Sequence, residues 1–244
     1  MRDRNKMNGA EALIQTLFNN GVEVCFANPG TSEMQLVAAI GQQEGMRAIL
    51  GLFEGVVTGA ADGYGRMADK PAATLLHLGP GLANGLANLH NAKRAHTPII
   101  NIVGDHAAAH LKYGAPLTSD VVGVATPMSD WVRTSISPAD LALAGAESVA
   151  SALTYPGQIC TLIAPGDHAW TDGAKVAASI TPPKTERPEN AEIKEAAALL
   201  KSSGQAALFL GGRALREDAL FHAGRIAAAT GARLICETLP ARLQ

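Results

Sequence analysis

With 244 residues, 47% of them hydrophobic and only 17% charged, the chain can bury a sizeable core, and its formal charge of −2 gives no basic footprint for nucleic acid. No apolar run reaches membrane-spanning length, and the opening Met-Arg-Asp-Arg-Asn-Lys lacks the apolar centre of a signal peptide, so a cytoplasmic protein without a membrane partner is expected. Cys25, Cys160 and Cys236 fit neither a metal pattern nor a disulfide framework; Cys25 and Cys160 lie in strand-like runs, where core packing is expected.

Residues 9–20 carry Leu13, Ile14, Leu17 and Phe18 at helical spacing, and Gly21 stops the helix. A strand over 22–27 leads into Asn28-Pro-Gly-Thr-Ser-Glu33, a loop with turn chemistry in which Thr31 or Ser32 is a candidate N-cap. A helix over about 33–43 follows. The apolar run 48–53 reads as a buried strand that ends at a lone carboxylate, Glu54, and a helix then covers about 55–68. Strand 72–77 runs into Gly79-Pro-Gly81, a tight turn before a helix over 81–95; strand 99–103 runs into Gly104-Asp-His106. A short strand over 131–135 precedes Ser137-Pro138, an N-cap and first-turn proline for a helix reaching 153, and a last strand covers 159–164.

Alternation of apolar strands and helices predicts an α/β fold: an open parallel sheet with helices on both faces. The polar, proline-rich stretch 181–190 reads as a linker. Beyond it the pattern restarts with helix 191–201, strand 206–210, Gly211-Gly212, helix 216–230 and strand 233–236. The remaining residues are too few for an independent α/β domain, so this second domain is expected to be incomplete.

Ligands of open parallel sheets bind beyond the carboxyl ends of the strands. Those ends offer Asn28 and Thr31, Glu54, His77 with Gly79–Gly81, and Asp105 with His106 to one rim. Glu54 has apolar neighbours, Phe53, Val56 and Val57, that would desolvate it, and it also complements the positive end of the helix it begins. Each of the other residues has an alternative role: His77 as a hydrogen-bonded strand end, Asp105 as a turn former, the glycines as a turn. Gly79-x-Gly81-x-x-x-Gly85, with Asp105 after the next strand, comes close to a dinucleotide-binding fingerprint, although it follows the third strand and has a proline between its glycines.

Taken together and in order, these residues resemble the N-terminal pyrimidine-binding domain of thiamine-diphosphate-dependent 2-keto-acid enzymes, in the acetolactate synthase and benzoylformate decarboxylase branch. The resemblance rests on Asn28-Pro-Gly-Thr-Ser-Glu33, Glu54 with Ala60-Ala-Asp-Gly-Tyr64, His77, and Gly79-Pro-Gly-x-x-Asn84. It covers residues 7–175, with 176–190 as linker and 191–244 as the start of a truncated Rossmann-like central domain. It implies that Glu54 hydrogen-bonds the aminopyrimidine N1′ and that Asn28, Pro29, Gly30, Gly79, Pro80, Gly81 and Asn84 border the cofactor. His77 matches a histidine that decarboxylases use for proton transfer, and Thr31 a substrate-contacting hydroxyl. Asp105 and His106 stand on the substrate side, where synthases usually have a glutamine. His77 points to a decarboxylase and the Gly-Pro-Gly-x-x-Asn run to a carboligase, so both remain open.

The same resemblance implies thiamine diphosphate with Mg²⁺, and a homodimer or homotetramer with the site between subunits. The family's Gly-Asp-Gly metal motif is absent here, so no metal ligand is assigned and the chain alone is expected to be inactive. FAD binding, found in some relatives, stays open. A nicotinamide-dependent oxidoreductase and a non-catalytic assembly subunit are the competing expectations. Ala83, Leu86 and Leu89 are candidates for an interface, with core packing as the alternative.

Overall fold

The computed structural model describes residues 6–202 and 204–244, and the chain forms two compact units, one ending at Pro183 and one spanning Lys184–Gln244. In chain order the first unit contains β1 (Met7–Asn8), α1 (Gly9–Asn19), β2 (Val24–Asn28), α2 (Met34–Gln42), β3 (Arg47–Leu50), α3 (Glu54–Ala68), β4 (Ala72–His77), α4 (Leu78–Arg94) and β5 (Ile99–Asp105). It continues with α5 (Val121–Ala125), β6 (Trp131–Thr134), α6 (Pro138–Ala152), β7 (Ile159–Pro165), α7 (Gly166–Trp170) and β8 (Asp172–Ala174). Residues 175–189 carry no regular secondary structure. The second unit contains α8 (Asn190–Ser202), β9 (Ala207–Leu210), α9 (Glu217–Thr230) and β10 (Arg233–Cys236), with β9 and β10 paired in parallel.

Six strands of the first unit form one parallel sheet in the order β3-β2-β4-β5-β7-β6, as the strand–helix alternation predicts. Successive strand residues point to opposite faces, and each face is covered by helices. Cys25, Leu75, Ile100, Ile102 and Leu162 pack on one face with Leu13 and Leu17 of α1, Leu36 of α2 and Leu141 of α6. Phe26, Leu76, Ile99, Val103 and Ile163 pack on the other with Val57 of α3, Leu82 and Leu89 of α4 and Val121 of α5. Cys25 and Cys160 are fully buried, as expected, and burial pushes the Cys25 thiol up to about 12.

One row across the second face is polar. Thr74, Asn101 and Thr161 occupy matching positions on β4, β5 and β7. The Thr74 hydroxyl donates to Asn101 Oδ1 at 2.7 Å, Asn101 Nδ2 donates to the Thr161 hydroxyl at 3.1 Å, and Ser129 Oγ lies 2.8 Å from that hydroxyl. Buried polar groups tolerate this environment only when paired, and a one-residue slip of any strand would break the row.

Helix ends follow local chemistry. Ser137 Oγ accepts the Asp140 N–H at 3.1 Å with Pro138 in the first turn, as expected. Gly21 takes φ +85° and stops α1, its N–H donating to Phe18 O at 3.0 Å. Asn8 and Glu11 form a reciprocal capping box at the start of α1 that the sequence reading did not identify. The β1–β8 antiparallel pair was also not anticipated, since segments this short carry no periodic signal.

Residues 48–53, expected as a buried strand, depart from that expectation. The strand is Arg47–Leu50, it pairs with β2 alone at the sheet edge, and Leu50 and Leu52 are 69% and 91% exposed. An apolar run signals burial without saying what does the burying, and among the described residues Leu50 and Leu52 stay largely uncovered.

Candidate active site

The carboxyl ends of β3, β2, β4 and β5 are neighbours in a parallel sheet, so the groups that follow them share one rim. The site is built around the start of α3. Phe53 is the extended N-cap residue and Glu54 the first helical one, where a carboxylate complements the helix dipole.

Small residues bring α3 against α4. Thr58 Oγ1 donates to Gly85 O at 3.0 Å, and Asn88 Nδ2 donates to Gly55 O at 2.6 Å. A Cβ on Gly85 would stand 2.7 Å from Thr58 Cγ2, so a larger residue would force the helices apart. This close approach carries the first turn of α3 to the first turns of α4. There Asn84 Nδ2 donates to Glu54 Oε2 at 3.0 Å. A Cβ on Gly81 would come within 3.3 Å of Glu54 Oε1 and 3.4 Å of His77 Cβ, so this glycine leaves room between the two groups. Glu54 Oε1 makes no hydrogen bond among the described residues.

The expected desolvation of Glu54 is only partly present. Val57 is buried, but Phe53 and Val56 are 50% and 60% exposed, and Glu54 is itself half-buried. Sequence proximity placed these side chains near the carboxyl; the helix turns Val56 outward and the edge strand leaves Phe53 uncovered.

Gly79-Pro80-Gly81 is not a turn ahead of a helix that starts at residue 81. Helix α4 starts at Leu78, and the turn is made there, with buried Leu78 at φ +54°. A leucine in this left-handed region costs about 1–2 kcal/mol, strain located at the residue that follows His77. Pro80 is accommodated in the first turn, where its missing N–H has no intrahelical partner to lose. Cβ atoms on Gly79, Gly81 and Gly85 would meet Ser119 Oγ, Glu54 Oε1 and Thr58 Cγ2. All three glycines therefore allow neighbouring side chains to approach the backbone closely.

Asn28 closes β2 and is half-buried, as are Pro29 and Gly30; exposed Thr31 opens a 3₁₀ turn, Thr31–Glu33. Neither Thr31 nor Ser32 caps α2, whose N-cap is Glu33 with no side-chain cap bond. Glu33 reaches back instead. Its Oε2 accepts the Gly30 N–H at 2.7 Å and lies 2.8 Å from His77 Nδ1. The side chain is fully buried, and Oε1 has no hydrogen-bond partner among the described residues. Burial pushes the Glu33 carboxyl above its ordinary range, opposed by the Gly30 N–H and by His77. Sequence reasoning had Glu33 only as the end of a loop motif. The available signal was an acid three residues after Gly30, the spacing at which a side chain returns to the backbone.

Asp105 ends β5 and accepts the His106 N–H at 2.7 Å; burial raises its carboxyl, with that N–H opposing. His106 Nε2 donates to Pro116 O at 3.0 Å. No hydrogen bond ties either residue to Glu54 or His77, so the structure brings Glu54, Asn84, Gly81, His77 and Gly30 together and leaves Asp105 and His106 beside them. Among the described residues no group of three or more His, Cys, Asp or Glu is arranged to hold a metal ion. Of the interface candidates, Leu89 is core and Leu86 packs against it, while Ala83 is exposed.

The parallel sheet and its helices define an α/β domain, and residues 7–124 match the family described as thiamine pyrophosphate enzyme, N-terminal TPP binding domain. The chain belongs to the thiamine-diphosphate enzyme superfamily, close to the acetolactate synthase and benzoylformate decarboxylase branch. It is 53% identical, over 98% of its length, to a Mycobacterium tuberculosis protein provisionally named acetolactate synthase large subunit IlvX, of which it covers 46%. It is 29% identical, over 67% of its length, to the benzoylformate decarboxylase of Pseudomonas aeruginosa, of which it covers 30%. A solved thiamine diphosphate-dependent 4-hydroxybenzoylformate decarboxylase from Rhodococcus jostii shares the fold with a TM-score of 0.87 at 21% identity, over 96% of this chain and 45% of that one. The chain thus spans less than half the length of these relatives.

Proposed function

We propose that this chain is the pyrimidine-binding part of a thiamine-diphosphate-dependent 2-keto-acid decarboxylase or carboligase. The observation that carries the reading is the state of Glu54: Oε2 is fixed by Asn84 at 3.0 Å, while Oε1 is free beside a glycine at a helix N-terminus. A carboxyl with one oxygen anchored and one available suits a ring nitrogen with which it can share a proton. When bound, thiamine diphosphate supplies the electron sink for cleavage beside a keto carbonyl.

The chain's own residues do the rest. Glu54 holds the proton at Oε1, and Asn84 keeps the carboxyl from rotating. Asn28, Pro29, Gly30, Gly79, Pro80 and Gly81 border the ring. His77 moves a proton at the substrate, which favours decarboxylation, and Thr31, Asp105 and His106 contact the keto acid. The diphosphate and Mg²⁺ belong to another domain.

Residues 7–175 are read as the pyrimidine domain, 176–190 as linker and 191–244 as the start of the central domain, in a cytoplasmic protein. The exposed Leu50, Leu52, Phe53 and Val56 beside Glu54 support a homodimer or homotetramer whose partner surface completes the desolvation of the carboxylate. The test is an assay of the protein as its cell makes it, with thiamine diphosphate, Mg²⁺ and a panel of aliphatic and aromatic 2-keto acids. Carbon dioxide with an aldehyde marks a decarboxylase and an acyloin-type product a carboligase. The 244-residue chain alone should turn over none of them. Robust turnover by that chain, or activity that depends on a nicotinamide cofactor, would contradict the reading.

A further inference from the structure

We infer that Glu33 is a positioning residue for His77, holding the imidazole with its hydrogen on Nδ1 and leaving Nε2 unprotonated for the site. The inference rests on the reading of His77 as a proton-transfer group, and it is carried by the geometry around one buried carboxyl.

Glu33 is fully buried, and its Oε2 already accepts the Gly30 N–H at 2.7 Å while facing His77 Nδ1 at 2.8 Å. Oε2 already serves as the acceptor for the Gly30 N–H, so the hydrogen between it and the ring sits on Nδ1. That contact is the only side-chain hydrogen bond of His77 among the described residues. In a neutral imidazole the second nitrogen then carries the lone pair, and the partner of one nitrogen decides the state of the other.

Two glycines make the contact sterically feasible. A Cβ on Gly104 would lie 1.7 Å from Glu33 Oε1, and a Cβ on Gly30 would lie 2.4 Å from His77 Nδ1. One glycine therefore admits the carboxyl and the other admits the ring. Two acidic groups face His77: Glu33 from the 3₁₀ turn before α2, and Glu54 from α3 across Gly81. Glu54 is engaged by Asn84, which leaves orientation of the ring to Glu33.

The experiment is nitrogen NMR of the ¹⁵N-labelled 244-residue chain at neutral pH, with the His77 signals assigned by comparison with His77→Gln. Two-bond proton–nitrogen correlations report which ring nitrogen carries hydrogen. The expected result is a dominant Nδ1–H tautomer in the natural chain and a mixed or Nε2–H population in Glu33→Gln, whose amide can donate to Nδ1. A His77 that carries its hydrogen on Nε2 in the natural chain overturns the inference, and this spectrum decides the matter even if the variant does not fold. A tautomer indifferent to Glu33→Gln overturns it equally. In the complete protein, Glu33→Gln should lower kcat by about a hundredfold, the scale of one proton-transfer group, with KM little changed. The expected tautomer in a protein without keto-acid turnover would sink the functional reading and leave the positioning intact; turnover with neither tautomer nor kcat affected would do the reverse.

Discussion

Replacing Gly104 by alanine should destabilise the chain through one identifiable collision. The new Cβ would stand 1.7 Å from Glu33 Oε1, 2.5 Å from Cδ and 2.7 Å from Cγ. The collision reaches past the carboxyl oxygen to Cδ and Cγ, so the whole end of this fully buried side chain has to move away. Leaving breaks two hydrogen bonds to a charged acceptor, worth about 1.5–3 kcal/mol each, and returns the carboxylate to water, which offsets part of the loss. A net cost of about 2–4 kcal/mol follows, or about 5–15 °C in Tm for a unit of this size. Gly63→Ala is the control: it lies within α3, and a Cβ there would meet nothing within 4 Å. That substitution should stabilise by about 0.5–1 kcal/mol through reduced backbone entropy in the unfolded chain. The decisive comparison is a double-mutant cycle followed by thermal circular dichroism. In a Glu33→Ala background the collision partner is gone, so Gly104→Ala should cost far less than in the natural chain. An equal cost in both backgrounds would refute the reasoning.

Two further outcomes follow from the same physics. Asn101→Ala removes the middle of the Thr74–Asn101–Thr161 row and strands buried hydroxyls, so urea unfolding should show a loss of about 2–4 kcal/mol; a loss below 1 kcal/mol would mean that the row is not structural. Burial holds the Glu33 carboxyl above the ordinary value of about 4.3, so the folded chain keeps a proton there that the unfolded chain releases. That contribution to stability is complete below the ordinary value and is lost as pH rises through the raised one. The advantage of the natural chain over Glu33→Gln in urea midpoint should therefore shrink with rising pH across that window, and a flat difference would contradict the assignment.

Much of this architecture was legible because burial on two faces writes itself into sequence. Runs such as those of β4, β5 and β7 are nearly continuous in apolar residues, and only a sheet covered on both sides needs them. Glu54 and His77 stood out because each is a polar group at the end of such a run. Glu33 did not, since nothing local marks an acid as buried: its partners are His77 and the space at Gly104, both distant in sequence. The start of α4 was misplaced for a related reason. Proline between two glycines reads as a turn, yet the positive φ falls on Leu78, a residue type that gives no sign of it. The edge strand shows the remaining limit, because an apolar run looks the same whether its cover comes from this chain or from another.

The central claim is that Glu54 is the group that shares a proton with the cofactor, and one substitution tests it most directly. In the protein as its cell makes it, supplied with thiamine diphosphate, Mg²⁺ and its keto acid, Glu54→Gln keeps the volume and the Asn84 neighbour but removes the exchangeable proton site. The expected result is a fall in kcat of about a hundredfold or more with an unchanged Tm. Activity within a few-fold of the natural protein would contradict the claim and favour an assembly role for this domain.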